Sequence, residues 1–255
     1  MIRWWSDPSL AGTPAGDALH SLDTVFALHG EQLTWSPLSH VHRLSLGGRV
    51  CYVKRYVGDR ASPRRSWFGL RTLIAPLRVE QEWKNLQAFA RWGLPTPRLL
   101  AYGLERRNGR FVRGALVTEE IPHTEDLGSL ARTGDARLKD QTWVAEVSRQ
   151  LAAATRTLHR AGFAHNDLKW RNVLVDRHEP PQLHFIDCPN GAFWRGPFLR
   201  HRIIKDLACL DKVAREHLSR VQRLRFYLDY RQHVRLTPAD KAQVRKVLAY
   251  FEGRE

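Results

Sequence analysis

The apolar pattern changes period part-way along the chain, and this change limits the possible fold more than any other feature. Before about residue 120 the patterned stretches mostly alternate as strands do; beyond it they repeat at the 3.6-residue period of helices. Residues 32–38, 42–46 and Arg49–Val57 are apolar, aromatic and β-branched runs, and Gly47-Gly48 is a hairpin turn between the last two. In the third run, alternation puts Cys51, Val53 and Arg55 on one face and Tyr52, Lys54 and Tyr56 on the other. Val79, Trp83, Leu86 and Ala90 mark one amphipathic helix, stopped by Gly93, Pro95 and Pro97. Residues 98–104 and 111–119 read as two more strands. Helices then dominate: 142–160, 203–218 and one opened by Thr237-Pro238, with a short strand pair at Val173–Val175 and 183–186. The expected class is α+β, two lobes with a ligand cleft between them. Residues 1–24 are expected as a loose lead-in, 25–121 as a β-rich N-terminal lobe and 122–255 as a mostly helical C-terminal lobe.

Composition narrows the function classes. Forty-one Lys and Arg against 26 Asp and Glu give a net charge of +15, which implies anionic partners. No helix-turn-helix, zinc-finger or RNA-motif pattern accompanies that charge, so no specific nucleic-acid partner is expected. Three cysteines without a CxxC pair argue against a disulfide framework and favour a reducing, cytoplasmic setting. No apolar run reaches the roughly 20 residues of a spanning helix, and the opening residues have no signal-peptide core.

Chemistry concentrates in His165-Asn166-Asp167-Leu168-Lys169-Trp170-Arg171-Asn172, which lies between a helix end and a strand. A second acidic residue, Asp187, ends the apolar run Leu183-His184-Phe185-Ile186. An Asn172 amide with an Asp187 carboxylate is a hard oxygen pair that suits Mg²⁺ shared with phosphate. Asp167 is then available to accept or orient a hydroxyl proton, and Lys169 to neutralise a moving phosphoryl group. Each residue alone has a plainer reading as a turn or surface residue, and His165 reads as a packing residue. Asp206 reads equally as a ligand of this loop's backbone or as a helix N-terminal carboxylate.

This run resembles the catalytic loop of the protein-kinase-like superfamily, with a metal-binding aspartate after the next strand. The resemblance implies that Lys54 holds ATP phosphates and pairs with a glutamate of the next helix. Glu80 and Glu82 both lie there; Glu82 falls within the apolar arc and is chosen. Glu119 and Ile121, after the fifth strand, fall where adenine would bind. More closely, residues 50–211 resemble the lipopolysaccharide core (Kdo/heptose) kinases, through Tyr52-Val53-Lys54-Arg55-Tyr56, Glu82-Trp83, Val117-Thr118-Glu119, the Asp167 loop, Phe185-Ile186-Asp187 and Lys205-Asp206-Leu207. That resemblance implies an enzyme using ATP and Mg²⁺ to phosphorylate a core sugar, heptose being the expected one. The acceptor would be lipopolysaccharide core glycolipid, met by a cytoplasmic protein peripheral to the inner membrane.

Departures from the protein-kinase pattern carry information too. No Gly-rich phosphate loop is present; its place falls at residues 36–43, where Arg43 is a candidate phosphate contact. Asp187 precedes Cys188-Pro189, and only residues 188–255 follow it, little for a regulated protein-substrate lobe. An atypical protein or small-molecule kinase of the same fold, and a catalytically silent scaffold, are the alternatives. Residues 60–78 join five arginines to Trp67 and Phe68 and are a candidate for contact with membrane or core. A second basic run, 195–205, is a candidate reader of the anionic acceptor.

Overall fold

The computed structural model describes residues 1–58 and 76–253. They form two compact units, Met1–Gln87 with Pro97–Ile121, and Ala88–Thr96 with the chain from Pro122 onward. The candidate membrane-contact segment 60–78 falls almost wholly outside the described residues.

The first unit is built on an antiparallel sheet of six strands among the described residues: β1 (Ile2–Ser6), β2 (Glu31–Ser36), β3 (Ser39–Leu46), β4 (Arg49–Val57), β5 (Leu99–Arg107) and β6 (Arg110–Glu119). Their order is β1-β5-β6-β4-β3-β2. Gly47 and Gly48 both have positive φ, 58° and 83°, as the tight β3–β4 hairpin requires. One sheet face carries Cys51, Val53, Leu100, Ala101, Ala115 and Val117, all fully buried beneath two short helices, α1 (Pro14–Ala18) and α2 (Leu22–Ala27). Arg55 also points to this side, donating to the Val25 carbonyl at 2.9 Å. The opposite face receives α3 (Arg78–Arg91): Trp83 stacks on Tyr102 with ring centroids 4.8 Å apart, and Gln87 donates to the Tyr102 hydroxyl at 2.9 Å. Alternation along β4 thus separates a packing face from a face carrying Lys54 and Tyr56.

The first 24 residues depart from expectation, because they are not a loose lead-in. Strand β1 pairs with β5 from Ile2↔Glu105 to Ser6↔Ala101. Leu10, Ala15, Leu19 and Leu22 are core residues, none more than 2% exposed. Two helices of five and six residues are too short to show a period. Their caps are legible only afterwards: Thr13 accepts from Gly16 N–H, and Ser21 with Thr24 forms a reciprocal cap.

In the second unit, α4 (Leu127–Thr133), α5 (Gln141–Arg160), α6 (Gly196–His217), α7 (Arg220–Arg231) and α8 (Pro238–Leu248) surround short strand pairs. β7 (Glu125–Asp126), β9 (Val173–Val175) and β10 (Leu183–Phe185) form one small sheet; β8 (Phe163–Ala164) and β11 (Ala192–Phe193) form another. Asp140 caps α5 by accepting from the N–H groups of Thr142 and Trp143. Helix α6 begins seven residues earlier than the apolar period indicates, at Gly196-Pro197, a favourable first-turn position for proline. Ala152, Leu207, Ala208, Tyr227, Tyr230 and Val247 form the core shared by α5–α8.

Candidate active site

The two units each carry part of the predicted set. In the β-rich unit, Lys54 Nζ lies 3.0 Å from Glu82 Oε2 and 3.1 Å from Oε1. Glu82 is 3% exposed and also accepts from the Tyr56 hydroxyl. A carboxylate so deeply buried demands charged or donor partners, and Lys54 and Tyr56, two apart on the same strand face, supply them. Glu80 faces outward, pairing with Lys84 at 2.9 Å and with Arg3 at 3.9 Å. The apolar arc of α3 therefore selects the glutamate that meets Lys54.

At the end of β6, the Glu119 side chain pairs with Arg49 at 2.6 Å. The Glu119 N–H donates to the Arg98 carbonyl and the Glu120 N–H to the Val50 carbonyl, each at 2.9 Å. Both of these N–H groups are thus already engaged within the unit. Ile121 closes the unit. Arg43 does not stand ready for phosphate, because its guanidinium forms a bidentate pair with Glu120 at 2.9 and 3.2 Å. The Tyr52 hydroxyl donates to the same Glu120 carboxylate at 3.0 Å. This pairing has no local sequence signal, since Glu120 lies 77 residues from Arg43.

In the helical unit the Asp167 loop is held from below. Asp206 is fully buried and accepts from two successive backbone amides, His165 N–H at 2.7 Å and Asn166 N–H at 2.8 Å. It sits mid-way along α6, not in a first turn, so its open reading resolves in favour of the loop backbone. His159 Nε2 lies 3.4 Å from Asp206, and His159 Nδ1 lies 2.9 Å from the Tyr230 hydroxyl. Tyr230, on α7, had no local sequence signal; burial pushes its phenol up to about 12, so it stays a neutral donor. Asn166 adopts a left-handed φ of 63° and donates to the Asn190 carbonyl at 2.8 Å. His165 packs as expected, its ring stacked on Phe89 at 6.0 Å. Both ring nitrogens are buried without a partner. Burial lowers its pKa, outweighing the pull of Asp206, Asp167 and Asp187, and keeps the imidazole neutral.

Above this base, Asp167 meets Lys169 Nζ at 2.6 Å and Arg171 at 3.7 Å. Asn172 is 3% exposed, and its Nδ2 donates to the Asp167 carbonyl at 2.8 Å. With its amide nitrogen so fixed, Asn172 Oδ1 is the atom left for an outside partner. The Ile186 N–H donates to the Asn172 carbonyl at 3.1 Å, tying the start of β9 to the residue before Asp187. Asp187 has a left-handed φ of 57°. The loop after it leaves no room for a side chain at Gly191, where a Cβ would lie 2.4 Å from the Phe163 ring and 2.5 Å from Cys188 Sγ. No cluster of three or more His, Cys, Asp or Glu with metal-site geometry exists among the described residues. One amide oxygen and one carboxylate nevertheless fit Mg²⁺, whose remaining ligands are ordinarily water and phosphate oxygens. Elsewhere in this unit Trp143, Leu151, Trp170, Leu207, Val244 and Leu248 line an apolar cavity of about 500 Å³.

A buried Lys–Glu pair on a β-rich unit, and an Asp loop braced by a helix carboxylate in a helical unit, are the features expected of a protein-kinase-like phosphotransferase. Residues 23–246 match the model of the lipopolysaccharide kinase (Kdo/WaaP) family. The chain belongs to that family. It is 29% identical over 198 residues, 75% of this chain and 72% of the relative, to a 3-deoxy-D-manno-octulosonic acid kinase of Actinobacillus succinogenes. It is 31% identical over 121 residues to the Haemophilus influenzae (strain PittEE) enzyme of the same name, covering 45% of this chain and 47% of that one. Among solved structures, WaaP in complex with acyl carrier protein matches with a TM-score of 0.72 at 22% identity, covering 99% of this chain and 97% of that one. No helix of the described residues is long and apolar enough to cross a membrane.

Proposed function

We propose that this enzyme transfers the γ-phosphoryl group of ATP to a hydroxyl of a Kdo sugar in the lipopolysaccharide inner core. The observation that carries the reading is the Asp167 loop: a carboxylate flanked by Lys169 and Arg171, fixed by Asn172 and braced through Asp206. Asp167 orients the acceptor hydroxyl and takes its proton, while Lys169 offsets charge on the phosphoryl group. Asn172 Oδ1 and the Asp187 carboxylate would hold Mg²⁺, which supplies neutralisation of the phosphate oxygens when bound. Lys54, aligned by Glu82 and Tyr56, binds the nucleotide phosphates, and the backbone at Glu119 and Ile121 receives adenine.

Kdo replaces heptose as the preferred acceptor because the named relatives are Kdo kinases; heptose is the alternative. A glycolipid acceptor also places the enzyme peripherally at an inner-membrane surface. The deciding experiment offers ATP-Mg²⁺ with Kdo-terminated and with heptose-bearing, phosphate-free core glycolipid. Label entering only the former supports the reading; label entering only heptose, or neither, refutes it. A second reading concerns partners. The apolar cavity, together with the acyl carrier protein complex of the solved relative, supports an acyl-bearing partner for the helical unit. Retention of the chain on immobilised acyl carrier protein with an acyl chain, but not without one, is the corresponding check.

A further inference from the structure

The loop and helix after Asp187 carry a surface that phosphoryl transfer does not use. Phe193 is 63% exposed and Phe198 is 71% exposed. Two large aromatic side chains left in water within one short segment point to a contact region. Phe193 is not loose. It belongs to β11, paired with Phe163 on β8, and its ring packs edge-on against Phe163 at 5.4 Å and Trp92 at 5.9 Å. The sheet therefore holds this ring outward. Phe198 lies in the first turn of α6, which the Gly196-Pro197 start fixes in place.

The charge around these rings has one sign. Residues 188–205 contain Arg195, Arg200, Arg202 and Lys205, with His201, and no aspartate or glutamate. None of these four cations forms an ion pair among the described residues. Some arginines elsewhere are matched to carboxylates, as in Arg43–Glu120, Arg98–Asp7, Arg137–Asp135 and Arg223–Asp211, and others are not; this run differs in holding no acidic residue at all. Arg202 rests on the Trp194 ring, 4.7 Å from its centroid, which keeps its charge while packing its stem. Along α6, Phe198, His201, Arg202 and Lys205 fall within about 100° of arc, one face of the helix. Exposed aromatics with unpaired cations on one face match a surface lying at a lipid headgroup boundary: the rings enter the interface and the cations meet phosphate.

We propose that Phe193 and Phe198, with Arg195, Arg202 and Lys205, dock this enzyme on an anionic phospholipid bilayer. The assignment rests on the reading that the acceptor is a glycolipid, and it names the protein surface that approaches the membrane holding it. It differs from the expectation that the 195–205 run reads the acceptor's own anionic sugars.

The test is co-sedimentation of the full chain with phosphatidylcholine vesicles, with and without phosphatidylglycerol. Wild type should bind only the anionic vesicles and be released by salt. Phe198→Ala, an exposed position, should weaken binding about tenfold without changing the melting temperature, and Phe193→Ser combined with it should weaken it further. Arg195→Gln and Arg202→Gln should each cost about fivefold, whereas Arg200→Gln, on the far side of the helix, should leave binding unchanged. Phosphotransfer to a delipidated, water-soluble core acceptor should be unchanged in Phe198→Ala, and transfer to acceptor embedded in vesicles should fall. Equal binding of variant and wild type, equal binding to neutral vesicles, or displacement by inorganic phosphate at low concentration would overturn the surface. So would loss of transfer to the soluble acceptor, which would assign the patch to sugar recognition. If wild type phosphorylates no core acceptor while the variants still lose vesicle binding, the sugar-kinase reading fails and the membrane surface stands.

Discussion

Asp206 offers the sharpest perturbation, because its carboxylate holds the backbone of the loop that carries Asp167, the proposed catalytic residue, without itself being assigned a chemical role. It is fully buried and accepts from His165 N–H at 2.7 Å and Asn166 N–H at 2.8 Å. Asp206→Ala leaves two buried amides unsatisfied, each costing about 1–3 kcal/mol, so a loss of about 2–6 kcal/mol is expected. That is a large share of a stability of about 5–15 kcal/mol, and the variant can be expected to fold poorly. Asp206→Asn is the informative change. It keeps one acceptor oxygen and gives up one charge-assisted hydrogen bond, a loss of about 1.5–3 kcal/mol. Calorimetric unfolding gives the stability change, and steady-state phosphotransfer gives the kinetics. With the loop register loosened, kcat should fall about tenfold or more, while KM for ATP stays within about twofold because Lys54 and Glu82 are untouched. Tyr230→Phe, which removes only the hydroxyl 2.9 Å from His159, should cost about 1 kcal/mol and little rate. Wild-type stability and kcat in Asp206→Asn would refute the claim that this carboxylate positions the loop.

Other outcomes follow from the same contacts. Glu82→Gln should raise KM for ATP about tenfold, by loosening Lys54, whereas Glu80→Gln, at a carboxylate that among the described residues pairs with the exposed Lys84 and Arg3, should leave kinetics and stability unchanged. Burial works against an ionised Asp240, but hydrogen bonds from Thr237 and His233 outweigh it and hold the carboxyl below the usual carboxylate range. Its stabilising effect is thus complete above about pH 4 and is lost as pH falls through the depressed value. Urea midpoints measured from pH 7 downward should show this loss in wild type and not in Asp240→Asn. Burial pushes the Cys51 and Cys209 thiols up to about 11. Alkylation at pH 8 should therefore be slow in native protein and rise only at the unfolding midpoint; rapid labelling without denaturant would contradict the burial.

The parts of the fold that were legible in the sequence are those where period and chemistry agree. Strand β4 alternates over nine residues, and both of its faces do what alternation implies. Glu82 was separable from Glu80 because a 14-residue helix is long enough to define an apolar arc. The Asp167 loop was legible as a run of spaced polar residues between a helix and a strand. What escaped were contacts between positions remote in sequence. Arg43 read as a free phosphate contact because Glu120, its partner, comes from the far end of β6. Tyr230 reaches His159 across 71 residues with no local signature. The opening segment read as loose because α1 and α2 are shorter than two turns, and the strand at Ile2–Ser6 gains its meaning only from pairing with β5.

On the proposed function, the Asp167 loop transfers phosphate from ATP to a Kdo hydroxyl of the lipopolysaccharide core. Mass spectrometry of Kdo-terminated core glycolipid, after incubation with ATP-Mg²⁺ and either wild type or Asp167→Asn, tests it most directly. One added phosphate located on Kdo with wild type, and none with a folded Asp167→Asn, is the expected result. Unmodified glycolipid with wild type, or equal phosphorylation by the variant, would contradict the account.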